Sequence, residues 1–244
     1  MLAALLTMLS LRLFGIQSLR ISAQKAPLRF GIVTYNCEGM NISWLGAMPG
    51  LPVILLPGCN SLESKGVSVK NGCTESHGYL EAVIAHYDEL ENLADVLFFT
   101  HAHRNSWHYT SPIDQQIRRV MADEKYLRST VFGGLYCGRF NTVLATTDWP
   151  PSARLDPREL WNGVYNGTDI SFPEGQIQYP CCGTFWVHTR AIKRRPKQLY
   201  ERVLANTLAQ SDWMNKEHVC GRVGEESWHI LFGGDQVVPR PSFC

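Results

Sequence analysis

Runs of apolar residues bounded by turn residues predict three β-strands in the first part of the chain. Residues 29–35 and 52–57 are two such runs, and a third begins at residue 96 and ends in a polar stretch around His101. Between the second and third runs, apolar residues recur at helical spacing behind Thr74, which we expect to cap the helix. This strand, helix, strand order predicts a parallel sheet with a crossover helix.

The remainder of the chain predicts further helices and strands around an irregular middle, residues 129–175, that holds short strands and one short helix. Helical spacing covers residues 111–123, 190–208 apart from Pro196, and 225–232, and a strand pattern covers residues 183–188. We therefore predict the α/β class: a single domain over residues 26–244, with a central, mainly parallel sheet flanked by helices.

The amino terminus has a different character from this domain. Residues 1–11 form an uncharged, mostly apolar run, which is too short to span a membrane and is typical of a signal-peptide core. Arg12, Arg20 and Lys25 follow without any acidic residue, so an organelle presequence is the alternative. We predict that residues 1–25 are a leader to the secretory pathway or the extracellular space, with no stable membrane span.

The composition indicates which classes of partner the protein binds and in which cellular compartment it folds. The 244 residues include 23 Lys and Arg and 22 Asp and Glu, so no net field attracts nucleic acid, and we predict no nucleic-acid partner. Eight cysteines and the sequons at Asn41 and Asn166 predict a disulfide-containing glycoprotein. The adjacent Cys181 and Cys182 are expected to bridge to two different partners.

Three histidines follow the third predicted strand: His101, His103 and His108. Side chains two residues apart on extended backbone project to one face, and α/β sheets bind ligands beyond the carboxyl ends of their strands. We predict that the three histidines ligate a divalent metal, and imidazole suits zinc or manganese better than magnesium. The alternative is that they are only hydrogen-bonded turn residues.

Two predicted helices carry further candidate catalytic groups. Glu75 and His77 lie in the first turn of the helix behind Thr74, where the helix dipole also favours a carboxylate on structural grounds alone. The helix near the carboxyl terminus carries Glu225, Glu226 and His229, and His229 follows Glu226 at the i, i+3 spacing that places both on one face. We predict that these five residues form the other walls of a cleft that begins at the histidines.

Several blocks of the sequence resemble the uncharacterised family catalogued as domain of unknown function 3431 (DUF3431). The first half of the resemblance rests on Asn71, Glu75, His77, Tyr79-Leu80, Tyr87-Asp88 and residues 98–108. The second half rests on residues 180–187, Arg195-Pro196, Tyr200 and residues 221–233. The chain departs from the family pattern at Cys73, where the family has glycine, and at Thr184, where glutamine is common.

The order of these blocks is similar to that of nucleotide-sugar glycosyltransferases of the GT-A type. That resemblance implies an enzyme of the secretory pathway acting on a small-molecule or glycan substrate, with a divalent ion on the donor diphosphate. It also implies a carboxylate base, for which Glu225 or Glu226 is the candidate, with Glu75 as a second acidic group. His101-Ala-His103 stands where such enzymes usually have Asp-x-Asp.

Two other functions remain open. A histidine-liganded hydrolase would resemble the His-x-His-x-Asp-His motif of metallo-β-lactamase-like enzymes, although Asn105 replaces the aspartate and His108 comes two residues late. A secreted domain without catalysis would bind glycans or proteins through aromatic rings. Trp107, Trp186 and Trp228 are candidates for that role, with packing in the core as the alternative.

Overall fold

A computed structural model describes residues 26–35, 41–56, 74–106, 109–135, 140–144, 156–209 and 219–238 of the chain. The predicted leader, Trp107 and His108 lie outside these residues. The strands are β1 (Phe30–Tyr35), β2 (Val53–Leu56), β3 (Val96–His101), β4 (Phe132–Gly134), β5 (Phe140–Leu144), β6 (Gln176–Pro180) and β7 (Phe185–His188). The helices are α1 (Thr74–His86), α2 (Leu90–Leu93), α3 (Ile113–Ala122), α4 (Glu124–Ser129), α5 (Pro157–Tyr165), α6 (Thr189–Lys193), α7 (Lys197–Ala209) and α8 (Val219–Leu231), with a 3₁₀ turn at Ser43–Ala47.

Five strands form the central sheet in the order β2-β1-β3-β7-β4, and β5 and β6 form a separate antiparallel pair. The pairs β1–β2 and β1–β3 are parallel, whereas β7 is antiparallel to both β3 and β4. The fold is therefore α/β as predicted, and its sheet is mixed: β1, β2, β3 and β4 run in one direction and β7 runs in the other. This direction could not be predicted, because the apolar pattern of a strand is the same whichever way the strand runs between β3 and β4.

Two apolar layers cover the sheet because alternate side chains of its inner strands point to opposite faces. Phe99 and Phe185 pack into the layer that includes residues of α1, α7 and α8. Phe98 and Trp186, their sequence neighbours, pack into the layer that includes residues of α3 and α4. Residues 96–100 are all buried, as expected of a strand covered on both faces. Among the described residues, no helix has the length and apolar character needed to cross a lipid bilayer.

Element boundaries differ from the predicted ones at three helices. Thr74 is the first residue of α1 instead of a cap before it. The predicted helix over residues 190–208 is two helices, α6 and α7, because Pro196 cannot donate the hydrogen bond that would continue the first. Helix α8 begins at Val219, six residues before the predicted start.

Candidate functional site

His101 is the last residue of β3, and its partner in the sheet register is Tyr35, the last residue of the parallel strand β1. His103 follows two residues later. The ring centroids of His101 and His103 are 4.9 Å apart, with the ring planes tilted by 39°. The structure therefore brings these two predicted residues together at the carboxyl edge of the sheet, where open α/β sheets bind ligands.

The backbone that carries His103 is held on both sides. The indole N–H of Trp44 donates a hydrogen bond of 2.6 Å to the carbonyl of Ala102. The guanidinium of Arg104 donates two hydrogen bonds, of 2.8 and 3.1 Å, to the carboxylate of Asp114. This interaction lowers the pKa of Asp114. His103 thus extends from a fixed loop, which limits its ring to a small range of positions.

Burial of the His103 ring, followed by the charge of the neighbouring His101, lowers the pKa of His103 from 6.5 to about 4. The ring also lies 5.6 Å from that of Tyr109, centroid to centroid. His103 is therefore neutral at physiological pH, which is the form that binds a metal or accepts a proton.

A tight turn between β6 and β7 carries the other half of the site. Cys181 and Cys182 are joined by a disulfide to each other, so the expectation of two separate partners was wrong. Cys182 and Gly183 both have positive φ, 77° and 62°. Two successive residues with positive φ make a tight turn, and spacing along the sequence does not show such a conformation.

The peptide groups of Cys182 connect three elements of the fold. Its N–H donates to the carboxylate of Glu225 on α8, and its carbonyl accepts a hydrogen bond of 2.7 Å from His101 Nε2. His101 Nε2 also lies 3.2 Å from Glu75 Oε2 on α1. We call these four residues, Glu75, His101, Cys182 and Glu225, the edge cluster.

The tautomer of His101 follows from these contacts. A backbone carbonyl can only accept a hydrogen bond, and Glu75 offers a carboxylate oxygen, so His101 Nε2 must carry the proton. In the neutral ring the lone pair then lies on Nδ1. The Glu75 side chain is 40% exposed and that of His101 is 16% exposed, so the carboxylate is the part of this pair that solvent or a substrate reaches.

Tyr79 of α1 contacts the β6–β7 turn through a hydrogen bond. Its hydroxyl donates a hydrogen bond of 3.0 Å to the carbonyl of Gly183. Burial, followed by the nearby charge of Glu75, raises the pKa of Tyr79 well above 10, so the hydroxyl keeps its proton. Sequence reasoning missed Cys182, Gly183 and Tyr79 as parts of the site, although the Cys-Cys-Gly sequence at the start of the predicted strand over residues 183–188 was the available signal.

The remaining predicted site residues do not line an open surface. His77 is 4% exposed, and its Nε2 lies 3.3 Å from Glu81 Oε1 on the same helix. Glu226 is 3% exposed. His229 is fully buried, with its ring stacked on Tyr179 at a centroid distance of 6.2 Å. Of the predicted carboxylates, those within reach of a substrate are therefore Glu75 and Glu225.

The predicted three-histidine metal site stays a prediction, because its third ligand, His108, is not among the described residues. The group of metal-binding side chains that the described part of the chain brings within ligand distance consists of Cys181, Cys182 and Glu225, and includes neither His101 nor His103. His101 Nε2 is also engaged as a donor, so only its Nδ1 has the lone pair that coordination needs.

Gly183→Ala is expected to disrupt the edge cluster. A Cβ on Gly183 would lie 2.5 Å from Glu75 Oε2 and 3.2 Å from His101 Nε2, so the carboxylate must move off the histidine. The left-handed backbone adds a cost of about 1–2 kcal/mol. We expect a lower free energy of unfolding in urea and a displaced His101 ring signal in NMR spectra.

Gly175→Ala is the matched control for this substitution. Gly175 has a similar φ of 83°, and a Cβ there would meet nothing within 4 Å. Gly175→Ala should lower the free energy of unfolding through the same left-handed backbone, but it should leave the NMR signal of the His101 ring unchanged. An unchanged His101 signal in Gly183→Ala would contradict the close approach of Gly183 to Glu75.

Comparison with known proteins places the chain in a family without assigning it an activity. No curated protein and no solved structure matches the chain. The profile of one family, described as "Protein of unknown function (DUF3431)", matches residues 32–244, a span that contains the whole edge cluster. The resemblance of the sequence blocks is thereby confirmed, and the chain belongs to the DUF3431 family.

Proposed function

We propose that the chain is a glycosyltransferase-like enzyme that moves a sugar from a nucleotide-sugar donor to an acceptor hydroxyl. The observation that carries the proposal is the pair formed by Glu75 and His101 at the carboxyl edge of the sheet: an accessible carboxylate backed by a histidine N–H. Such a pair suits a general base, because the carboxylate reaches solvent while its orientation is held from behind.

The arrangement of the elements agrees with a GT-A-like layout. Helix α1 precedes β3, β3 ends in polar residues, the Cys181–Cys182 turn leads into β7, and Glu225 precedes Trp228 on α8. The edge cluster lies where an open α/β sheet receives its ligands. Architecture alone does not assign a reaction, because one fold supports many chemistries.

In the proposed reaction the oxygen of the acceptor hydroxyl attacks the anomeric carbon of the donor sugar, and Glu75 accepts the proton of that hydroxyl. The new carbon–oxygen bond forms while the bond to the donor diphosphate breaks, and the diphosphate leaves with the electron pair. His101 Nε2, 3.2 Å from Glu75 Oε2, limits the positions that the carboxylate can take. Glu225 holds the N–H of Cys182 and so positions the turn, which makes Glu75 a better candidate for the base than Glu225 or the buried Glu226.

A manganese or zinc ion on the diphosphate is the cofactor that a GT-A enzyme implies. His101 and His103 are the described residues that would hold it, and the third predicted ligand, His108, lies outside the described residues. No step of the proposed reaction therefore passes through an ion.

A histidine-liganded hydrolase is the second candidate. It is favoured by the adjacent rings of His101 and His103 and by the neutrality of His103 above about pH 4. Metal analysis of the purified protein separates the two candidates, because the hydrolase requires bound metal that His103→Ala removes.

Binding through exposed tryptophans has less support. Trp44, Trp161, Trp186 and Trp228 are each at most 4% exposed, so these four rings pack in the interior of the described fold. Rings buried in this way are not available to stack on a sugar or to enter an interface.

Glu75→Gln tests the proposed base. With a panel of nucleotide sugars, release of nucleoside diphosphate should fall about 10²- to 10⁴-fold, the usual contribution of a general base. The donor should still raise the melting temperature of the variant, because the amide keeps the size of the side chain. Both measurements are made with and without manganese.

Glu81→Gln is the matched control, since it makes the same change on the same helix at a residue that pairs with His77. It should retain full turnover. If no nucleotide sugar stabilises the protein or is consumed, or if both variants lose activity equally, the transferase proposal is wrong.

A further inference from the structure

We propose that Cys181, Cys182 and Glu225 form a binding site for a thiophilic divalent cation such as Zn²⁺ once the Cys181–Cys182 disulfide is reduced. The two sulfur atoms and one carboxylate oxygen lie within 4.8 Å of one another. This site differs from the predicted histidine site in every residue, and it does not depend on the transferase proposal.

The donor atoms match the preferences of zinc. Zinc binds thiolate sulfur and carboxylate oxygen, and three protein ligands leave a fourth position of the tetrahedron for water or another ligand. Sulfur ligands lie about 2.3 Å from zinc, so two of them on a tetrahedron are about 3.8 Å apart. Atoms already within 4.8 Å of one another need only a small movement to reach that geometry.

The backbone around the pair is held by contacts that do not involve sulfur. The carbonyl of Cys182 accepts from His101 Nε2, and the carbonyl of Gly183 accepts from the hydroxyl of Tyr79. Cys181 directly follows β6, whose pairing with β5 fixes the entry to the turn. These partners keep both cysteines beside Glu225 after reduction, as outer-shell hydrogen bonds do in known metal sites.

The oxidation state decides whether the site exists. A dithiol reductant gives two electrons and two protons to the Cys181–Cys182 bond and is itself converted to a disulfide. The two thiols then release their protons to solvent as the cation binds, because the thiolate is the ligand form. In the disulfide neither sulfur carries the negative charge that a cation needs.

Cobalt titration of the full chain tests the site, because Co²⁺ bound to thiolate shows a charge-transfer absorption band that zinc then abolishes by displacement. The unmutated protein is compared with Cys181→Ser/Cys182→Ser, Glu225→Gln and Glu226→Gln, each before and after reduction. The chain has eight cysteines, so the readout is the difference between these proteins. Glu226→Gln is the matched control, since it makes the same change one residue along α8 at a buried side chain.

We expect the reduced, unmutated protein to bind one more equivalent of Co²⁺ than the oxidised protein. It should also bind one more equivalent than the reduced Cys181→Ser/Cys182→Ser variant. Glu225→Gln should bind this additional cobalt ion at least about tenfold more weakly, because even the loss of a hydrogen bond to a metal ligand has an effect of that size. Glu226→Gln should bind it as tightly as the unmutated protein does. Equal binding by the reduced protein and the double variant overturns the proposal, and so does equal affinity of the two glutamine variants.

Circular dichroism checks whether the double variant folds. If it does not fold, a second measurement on the unmutated protein tests the same proposal. After reduction, zinc should protect Cys181 and Cys182 from alkylation by iodoacetamide, as mapped by mass spectrometry of the peptides. Alkylation of both residues at the same rate with and without zinc overturns the proposal.

Discussion

Phe185→Ala is expected to lower the free energy of unfolding by about 3–5 kcal/mol, the usual cost of removing a buried phenylalanine ring. The Phe185 ring is 2% exposed and stacks on Phe99 at a centroid distance of 4.9 Å and on Phe132 at 5.0 Å. It also lies 5.6 Å from the ring of Trp228. Its removal opens a cavity among rings from two strands and a helix, and urea denaturation at neutral pH measures the loss.

Phe30→Ala is the matched control for this substitution. Phe30 is only partly buried and stacks on Phe98 at the longer centroid distance of 5.8 Å. It should therefore cost clearly less than Phe185→Ala. If the two substitutions cost the same, Phe185 does not have the central place in the aromatic layer that the structure gives it.

Acidification is expected to destabilise the fold through His229. Burial lowers the pKa of His229 to about 4, while an unfolded chain has the ordinary value of about 6.5. Between these two values the unfolded state binds a proton that the native state does not, so stability falls as the pH falls. This contribution is fully present above about pH 6.5, and its complete loss below about pH 4 amounts to about 3 kcal/mol.

His229→Phe tests the assignment, because phenylalanine keeps an aromatic ring against Tyr179 and has no proton to bind. Urea unfolding between pH 7 and pH 4 should show a shallower dependence of stability on pH in this variant. Phe232→Leu, three residues along the chain, should instead lower stability at every pH and leave the slope unchanged. The assignment is wrong if His229→Phe keeps the original slope.

Strand positions were the most predictable part of the fold. Residues 96–101, 52–57 and 29–35 were predicted as strands, and β3, β2 and β1 lie within those limits. The apolar run of β3 reports burial directly, because a strand covered on both faces needs apolar residues at every position. The run of β2 does not, since β2 is an edge strand whose Val53 is 38% exposed. The direction of β7 was not predictable in this way, since the pattern of a strand is the same in both directions.

The early start of α8 shows how packing overrides local preference. Its first turns contain two glycines, which disfavour a helix, and the predicted helix began only at Glu225. At Gly224 the helix lies so close to α1 that a Cβ would stand 2.1 Å from the hydroxyl oxygen of Ser76. The glycine that weakens the isolated helix is the residue that allows this approach.

Part of the candidate site could be read from the sequence. The position of His101 and His103 at a strand end, and of Glu75 in the first turn of a helix, followed from periodicity. Periodicity says which residues share a face, but not whether that face meets solvent, so the burial of His77, Glu226 and His229 was not foreseen.

The sequence by itself therefore determined the α/β class, the family, the main elements and the strand end that carries the histidines, because these depend on local patterns. Only the tertiary structure decided that Glu75, His101, Cys182 and Glu225 meet, and that Cys181 and Cys182 pair with each other. These contacts join residues up to 81 positions apart, and they meet at a left-handed turn. Their formation depends on how α1, α8 and the β6–β7 turn pack together at the edge of the sheet.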